Sequence, residues 1–296
     1  ERMNNRMSSG RDLLEYCNDQ GITIAEAMVR YEISLGELSR ESIMEEMRKN
    51  LSTMRLSVKK GIEEEQFSVT GLTGNDSGIF FDYAEKSLMG SRMARAVASS
   101  MAVVEINASM GRIVAAPTAG ASGILPGVLL VCGEDLGWDD DKLVQGLFAA
   151  GAVGMIIAQN ATISGAEGGC QAETGVGAAM AAAALTELCG GTPQKALDAA
   201  AMAIKNIMGL VCDPVAGLVE CPCIKRNAIG AANAMLSADL ALAGVKSIIP
   251  FDEVVGAMRS VGRSMSADLR ETARGGLAAT PTAKQIERDL GLSPDR

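Results

Sequence analysis

Apolar and polar residues alternate along most of this chain at the three- and four-residue steps of an α-helix. In the N-terminal part, Met44, Met47, Leu51, Met54 and Val58 follow this spacing, which places them on one face of a helix. The charged residues between them form its solvated side. The pattern therefore predicts helices that pack through one apolar face.

Two sequence signatures of helix starts lie in the same region. Thr23 is followed three residues later by Glu26, and Ser34 is followed in the same way by Glu37. In such a capping box, the two side chains satisfy free N–H groups in the first turn of a helix. We therefore expect helices to begin at Thr23 and at Ser34.

The helical pattern breaks between residues 61 and 81, where Gly, Ser, Thr and Asn are frequent. This composition predicts a hairpin or an extended loop near residues 66–80, and it is the only sheet that we expect. The segment separates an N-terminal helical section, residues 1–80, from residues 81–296 of the same domain. A long helix is predicted to resume from Tyr83 to Ser109, with Gly90 inside it.

The central segments are apolar almost all round and rich in Ala and Gly. Helices without a polar face are buried by other helices, so these segments should form the centre of a bundle. Another helix is expected from Asn227 to Leu242, and an amphipathic tail from Phe251 to Leu290 should pack outside. The predicted fold class is mainly α, a helical bundle with cysteine-bearing turns and at most a small hairpin. The central helices are residues 141–160, 171–189 and 193–208.

Composition narrows the functional classes. Of the 296 residues, 48% are apolar but only 3% are aromatic, so the core must be built from small and aliphatic side chains. A net charge of −9 argues against a general affinity for nucleic acid or for anionic membranes. The longest apolar run, Gly146 to Ala158, is too short to span a bilayer and predicts a buried helix.

The chain contains seven cysteines and no histidine. The first residues are charged and show no secretory signal, so we expect a cytoplasmic protein with free or metal-bound thiols. Imidazole zinc ligands and a Ser-His-Asp device are excluded. A general base must therefore be a residue of another type, or it must come from another polypeptide.

Three turns punctuated by Gly or Pro each carry a cysteine, namely Cys170, Cys212 and Cys223. Such turns let thiols and backbone amides converge on one point. Their spacing is neither a compact ferredoxin run nor a paired C-x2-C zinc pattern. Two interpretations stay open at this point: buried structural thiols, or ligands of a soft metal centre such as an iron–sulfur cluster.

A turn of small residues, Pro117 to Gly123, precedes the apolar run from Ile124 to Val131. Its hydroxyls and amides suit a carboxylate or phosphate at a helix N-terminus. The alternative is an ordinary connector in which Ser122 caps the helix.

Together with Gly111–Gly123 and Arg274–Ala278, the three cysteine turns resemble the alpha chain of the iron–sulfur-dependent L-serine dehydratases. The resemblance covers roughly residues 80–280. It implies a lyase that converts L-serine to pyruvate and ammonia, a reaction of amino acid degradation that feeds gluconeogenesis. It also implies a [4Fe-4S] cluster bound by Cys170, Cys212 and Cys223, in which an iron without a protein thiolate acts as a Lewis acid on the serine hydroxyl.

The resemblance also suggests roles for polar neighbours of these cysteines. Ser122 and Thr118 are expected to bind the substrate carboxylate, and Arg226 is expected to clamp it or to form an ion pair at a helix end. Gln171 and Asn227 should lie around the cluster. The two cysteines Cys132 and Cys189 are predicted to be core residues, while Cys221 competes with Cys223 for a place in the ligand set.

A partner chain follows from two further features. Single-chain members of the family carry a C-terminal cysteine, whereas this sequence ends at Arg296 without one, so we expect the two-chain form with a separate beta chain. Glu167 and Glu173 flank a helix start, which lowers the pKa of a carboxyl group, and Lys225 should stay protonated beside a negative cluster. The catalytic base is therefore expected on the beta chain. A homo-oligomer is also compatible with the sequence.

Three other functions are weighed against this one. A pyridoxal-phosphate dehydratase would perform the same reaction through a lysine Schiff base, but alternating strands and helices are not evident here. A non-catalytic iron–sulfur scaffold or sensor would have no use for the carboxylate-binding turn. A related lyase would act on another β-substituted amino acid, such as cysteine or threonine.

Overall fold

The apolar segments of the chain fold into α-helices that bury their apolar faces against one another. The computed structural model describes residues 7–36 and 38–292, and within these residues the chain forms thirteen α-helices. They are α1 (Gly10–Gln20), α2 (Ile24–Ser34), α3 (Arg40–Glu63), α4 (Asp76–Tyr83), α5 (Ser91–Ala108), α6 (Ile124–Leu136), α7 (Asp140–Asn160), α8 (Gly165–Gly168), α9 (Thr174–Leu188), α10 (Pro193–Asn206), α11 (Cys223–Leu242), α12 (Phe251–Ser264) and α13 (Pro281–Asp289).

The mainly α fold class is confirmed, and of the hairpin or extended loop predicted near residues 66–80 the structure shows a tight turn with a single antiparallel pair. Phe67 and Gly74 form one isolated antiparallel bridge, and α4 already begins at Asp76. A second isolated bridge joins Cys212 to Arg270. The described part of the chain contains no sheet, because the segment turns back after a single pair and then enters a helix.

The first predicted capping signal is confirmed and the second is not. The Thr23 side chain accepts a hydrogen bond from the Glu26 amide at the start of α2. Ser34, in contrast, is the last residue of α2, and its hydroxyl donates back to the Tyr31 carbonyl at 2.6 Å. The next helix is capped by Ser39 instead, while Glu37 lies outside the described residues.

The helix predicted from Tyr83 to Ser109 is divided in two. α4 ends at Tyr83, and Gly90 stands directly before α5 with a φ of 80°. This left-handed conformation is accessible to glycine at little cost and cannot continue a right-handed helix. Gly90 is therefore the N-cap of α5 rather than an interior residue.

The Ala/Gly-rich helix α9 lies at the centre of the bundle. It packs against α6, α7, α10 and α11, and its residues from Ala181 to Ala184 are fully buried. Small side chains let the neighbouring helices approach closely. The same hydrophobic core extends from Met7 to Met258, so the N-terminal helices contribute to it.

One half-buried and one buried carboxylate attach other helices to this core. Glu187 of α9 accepts hydrogen bonds from the amides of Ile24 and Ala25 at 2.6 and 2.9 Å, at the start of α2. Glu105 of α5 accepts from the Asp76 amide at 2.8 Å and from the Ser77 hydroxyl, at the start of α4. Burial raises the pKa of both glutamates, and both satisfy free amides at the start of another helix.

α7 is longer than the apolar run from Gly146 to Ala158 suggested. The helix has 21 residues, and by length and composition it could cross a membrane, as could the segment Ala119–Leu136. In each case 67% of the apolar window is buried inside the molecule, as expected for the core helix of a soluble protein. Length alone therefore does not support the expectation that the run is too short to span.

The close contact between α5 and α6 predicts a specific effect of added volume. A Cβ atom at Gly127 would lie 2.6 Å from the Ser100 nitrogen and 2.8 Å from the Ala96 oxygen, which are backbone atoms that cannot move aside. We expect Gly127→Ala to lower the free energy of unfolding by about 1–3 kcal/mol. Urea unfolding followed by circular dichroism measures this change.

Gly151 provides the matched control, because it lies in α7 with no atom within 4 Å of an added Cβ. Gly151→Ala should be neutral or stabilising by up to about 1 kcal/mol, since alanine favours the helix. Equal destabilisation by the two substitutions would contradict the packing argument.

Candidate active site

The cysteine turns lie at one end of the bundle, where α6, α9 and α11 begin. The turn around Ala119–Ala121 contacts both α9 and α11, and the turn around Cys170–Ala172 leads directly into α9. α11 starts at Cys223, earlier than its predicted start at Asn227. Three helix N-termini, each with the positive end of its dipole, therefore share this region.

The structure brings the three predicted thiols into this region. Cys170 and Cys212 are buried, and Cys223 is half-buried. Burial raises the pKa of all three thiols, and the charge of Cys170 raises the pKa of Cys212 and Cys223 further, that of Cys223 to about 12. The Arg226 guanidinium lowers the pKa of Cys170 and Cys223 in part, but burial outweighs it, so the three thiols keep their protons at neutral pH.

These thiols suit a cluster better than a single ion. In the described residues, no three side chains of the His, Cys, Asp or Glu type are close enough to hold one metal ion. A four-iron cluster takes one thiolate on each iron, so its ligands stand farther apart than the ligands of one ion. Three free thiols from three separate turns, two of them buried and one half-buried, fit such a group, which would release their protons on binding.

Arg226 holds the turn that carries Cys212. Its guanidinium donates to the Val211 carbonyl at 2.8 Å and lies 2.8 Å from Oδ1 of Asp213. No well-aligned hydrogen bond reaches that oxygen, so charge holds the pair. Burial alone would lower the pKa of Arg226, but the charges of Cys170 and Asp213 raise it above its ordinary value. Of its two predicted roles, the structure supports the ion pair.

Asn227 joins the small-residue turn to the Cys223 turn. Its side-chain oxygen accepts from the Gly123 amide at 3.1 Å, and its nitrogen donates to the carbonyls of Gly120 and Cys223 at 2.7 and 2.9 Å. The side chain is fully buried. Asn227 therefore fixes the distance between two parts of the candidate site.

Gln171 connects the Cys170 turn to the Cys212 turn in a similar way. Its backbone amide donates to the Leu210 carbonyl at 2.9 Å, and its side-chain oxygen accepts from the Gly209 amide at 2.9 Å. Its nitrogen donates to the carbonyls of Gly168 and Met258. With all of its polar atoms occupied, Gln171 positions the turns.

The pKa of Glu173 shifts in the direction opposite to the predicted one. Burial raises its pKa, whereas the helix start alone predicts a lowered one. One oxygen accepts from the Thr118 hydroxyl at 2.7 Å. A Cβ atom at Gly165 would lie 2.6 Å from the other oxygen and 3.0 Å from Sγ of Cys212. Glu173 therefore lies between the Thr118 turn and Cys212, and the pKa argument against it as a base is wrong.

Ser122 is not a helix cap. Its hydroxyl is buried and donates to the Ala119 carbonyl at 2.7 Å, while the N-cap of α6 is Gly123 and lacks a side-chain hydrogen bond. In the same turn, the amides of Ala119 and Gly120 have no partner among the described residues. Those two amides are therefore available as hydrogen-bond donors.

Two further acidic residues of the cysteine turns, Asp213 and Glu220, were candidate bases by sequence, but their partners could not be predicted from it. Asp213 pairs with Arg226 and accepts from the Leu277 amide at 2.7 Å, so it links the Cys212 turn to the Arg274–Ala278 segment. Glu220 accepts from the hydroxyls of Thr70 and Thr73 at 3.0 and 3.1 Å. The signal for the first was Gly276, where a Cβ atom would lie 2.3 Å from a carboxylate oxygen of Asp213.

The remaining four cysteines differ in burial. Cys17 and Cys132 are buried, and Cys221 is half-buried beside the site. Cys189, predicted to be a core residue, is exposed instead. It lies just beyond the end of α9, where the helix reaches the surface.

Removal of the Asn227 side chain should loosen the site. Asn227→Ala leaves the Gly120 carbonyl and the Gly123 amide without partners, so we expect a loss of about 2 kcal/mol or more in the free energy of unfolding. The reaction of Cys223 with a thiol reagent should also become faster. Urea unfolding and stopped-flow thiol modification measure the two effects.

Asn50 is a suitable control because it is exposed on α3. Asn50→Ala should change the free energy of unfolding by no more than about 0.5 kcal/mol. An Asn227→Ala protein with unchanged stability and unchanged Cys223 reactivity would refute the role assigned to this amide.

Comparison with known proteins adds to this geometry. Residues 19–278 match the family model of the serine dehydratase alpha chain. The probable L-serine dehydratase, alpha chain, of Bacillus subtilis (strain 168) is 48% identical over 282 residues, which cover 95% of this chain and 94% of that protein. The L-serine dehydratase, alpha chain, of Peptoniphilus asaccharolyticus is 44% identical over 286 residues, which cover 96% and 98% of the two chains.

A longer relative matches in part. L-serine dehydratase 1 of Escherichia coli (strain K12) is 36% identical over 290 residues, which cover 91% of this chain and 61% of that protein. The alpha-chain relatives are therefore matched along nearly their whole length, and the longer relative contains additional sequence. The chain belongs to the serine dehydratase alpha chain family.

Proposed function

We propose that this chain is the alpha chain of an L-serine dehydratase that converts L-serine to pyruvate and ammonia. In this proposal, a [4Fe-4S] cluster is held by Cys170, Cys212 and Cys223. One observation carries it: two buried thiols and one half-buried thiol from three turns lie at the common start of α6, α9 and α11, and their charges oppose one another's ionisation. A cationic group bound between them removes that opposition.

The cluster, when bound, supplies a Lewis acid that stabilises departure of the serine hydroxyl. The chain's own residues bind and orient the substrate. The free amides of Ala119 and Gly120, near the start of α6, suit the substrate carboxylate, because oriented N–H groups bind anions. Thr118 and Ser122 form the same turn, so their expected substrate role becomes one of shaping it. Arg226, Gln171 and Asn227 act as positioning residues for the thiol-bearing turns.

A beta chain is part of the proposal. The Escherichia coli relative has sequence beyond the matched region, which is where a counterpart of a separate beta chain would lie. Beside the candidate site, Val69, Ile79 and Ile229 are 74%, 64% and 53% exposed. A hydrogen-bonded ion pair of 2.7 Å between Lys225 and Asp76 joins the helices that carry the last two. Such an apolar face suits coverage by a partner chain.

Two further points support this function over its rivals. All seven cysteines are free, which agrees with a reducing cytoplasmic location. The described residues contain no sheet, so the alternating strands and helices on which the pyridoxal-phosphate alternative relied are missing there. A non-catalytic scaffold and a lyase for another amino acid are separated by turnover assays with serine, threonine and cysteine.

The ligand assignment predicts which cysteines support the cluster. After anaerobic reconstitution, Cys170→Ser, Cys212→Ser or Cys223→Ser should abolish the visible absorption of the cluster, because each thiolate binds a different iron. Absorption spectra and iron content provide the measurement. Cys189→Ser is the control and should retain both, since this exposed thiol lies at the other end of α9. Equal loss from Cys189→Ser would refute the ligand set.

The absence of histidine predicts that the alpha chain needs a partner for turnover. The cluster-loaded alpha chain alone should show little pyruvate formation from serine at neutral pH, and addition of the beta chain should restore it, because the expected base lies there. A coupled pyruvate assay with and without the beta chain tests this. Turnover by the alpha chain alone that equals the mixture would assign the base to this chain, with Glu173 as the first residue to replace.

A further inference from the structure

A cavity of about 380 Å³ lies between α3, α4, α5 and α6, and none of its lining residues belongs to the cysteine turns. Cavities of this size are typical of sites for small organic molecules. Most of the wall is apolar, and it includes the only tryptophan of the chain. Such a wall suits the apolar part of a ligand. It is formed mainly by Val58, Ile62, Phe81, Leu130, Trp138 and Leu143.

Arg95 and Ser99 form a polar patch in this wall. They are four residues apart in α5, so their side chains are neighbours on one face of the helix. Ser99 is only 1% exposed, and its hydroxyl makes no hydrogen bond within residues 7–36 and 38–292. A buried hydroxyl without a partner costs free energy, which a polar atom of a ligand at this point would recover.

Arg95 has unused hydrogen-bond donors beside that hydroxyl. Its Nη2 lies 2.6 Å from Oδ1 of Asp135, and this is its only side-chain hydrogen bond within the described part of the chain. Arg92 donates to the other oxygen of the same carboxylate at 2.7 Å. The hydrogen bonds from Arg95 and Arg92 hold the pKa of Asp135 below its ordinary value. Two guanidiniums therefore share one carboxylate, and the trio keeps a net positive charge that favours an anion.

The other charged side chains of the wall are more exposed than Arg95, whose side chain is 21% exposed. Glu134 is 3.7 Å from Nη1 of Arg95, but 78% of its side chain is exposed. Lys59 and Glu63 are 3.8 Å apart and 64% and 60% exposed. Arg55 is 46% exposed and pairs with an aspartate of α7. Exposed pairs of this kind interact weakly, so they leave the inner guanidinium of Arg95 able to bind an anion.

We propose that this cavity binds a small organic carboxylate with an apolar body, of the size of a medium-chain fatty acid. The carboxylate accepts hydrogen bonds from Arg95 and Ser99, because charge-assisted hydrogen bonds to a guanidinium are the strong ones. The apolar body lies against Val58, Phe81 and Trp138, and its burial adds to the affinity. The ligand contacts four helices at once, so its binding stabilises the folded chain.

The experiment titrates the full chain with octanoate and follows the fluorescence of Trp138, which as the only tryptophan reports on this cavity. We expect saturation at one equivalent by isothermal titration calorimetry, and a higher unfolding temperature by circular dichroism. None of these measurements involves turnover or the cysteine turns, so they are independent of the proposed lyase activity.

Three other probes separate the two parts of the ligand. Acetate lacks the apolar body, 1-octanol lacks the charge, and octylammonium carries the opposite charge. Each should bind the unsubstituted chain about tenfold or more weakly than octanoate, because each loses one of the two interactions. Equal binding of 1-octanol or octylammonium, or no binding of octanoate, would overturn the proposal even if a variant chain fails to fold.

Substitutions locate the carboxylate. Arg95→Met should weaken octanoate binding about tenfold or more, and Ser99→Ala about threefold. Arg92→Met is the matched control, since it removes the same charge and a contact to the same aspartate from a side chain that does not line this cavity. It should weaken binding by no more than about threefold. Equal weakening by the two arginine substitutions would show an effect of net charge alone and would overturn the site.

Discussion

The side-chain amide of Asn227 is the interaction on which the candidate site depends most directly. It is fully buried, and a buried amide must find partners for both its oxygen and its nitrogen. Here the partners are backbone groups of two different turns, at Gly120, Gly123 and Cys223. Because both turns are held by the same side chain, neither can shift without leaving a polar group unsatisfied in the interior.

The neighbouring residues extend this principle around the site. Arg226 holds both neighbours of Cys212, and Gln171 holds the chain just before it. Each of these polar side chains is attached to a helix or a helix-leading turn and reaches toward a loop. The thiol groups make few hydrogen bonds to loops, so the polar residues next to them in sequence determine their positions. This arrangement leaves the thiols free for the metal chemistry that we propose.

Much of the fold could be predicted from local pattern, whereas the site geometry could not. The apolar face from Met44 to Val58 and the cap at Thr23 depend on neighbours along the chain, so periodicity and capping rules were sufficient for them. The prediction that Gly90 lies inside a helix is wrong, because the identity of one residue as glycine does not reveal whether its φ will be positive. Ser34 matched a capping rule, but its hydroxyl bonds to its own helix.

For the site, the sequence shows three cysteines in turns that contain Gly or Pro. The resemblance to a family then predicts that the three turns form one site. The partners of Arg226 and the burial of Glu173 depend on segments far apart in sequence. The pKa of Glu173 shows the consequence: a local rule about helix starts predicted a lowered value, and tertiary burial raises it. The hydrogen bond between Asp213 and the Leu277 amide could not be predicted from the sequence. An aspartate or a backbone amide can have many different partners, and nothing in the neighbouring residues indicates which one it has.

The alanines of α9 have a consequence for the precision of the site. Alanine has no side-chain rotamers, so burial of Ala181–Ala184 costs backbone entropy but no side-chain entropy. A wall of such residues also has no alternative side-chain states to exchange between at physiological temperature. The helix that follows Cys170 and Glu173 therefore contributes no side-chain rotamer exchange of its own at these four positions, which favours a fixed position for the two residues at its start.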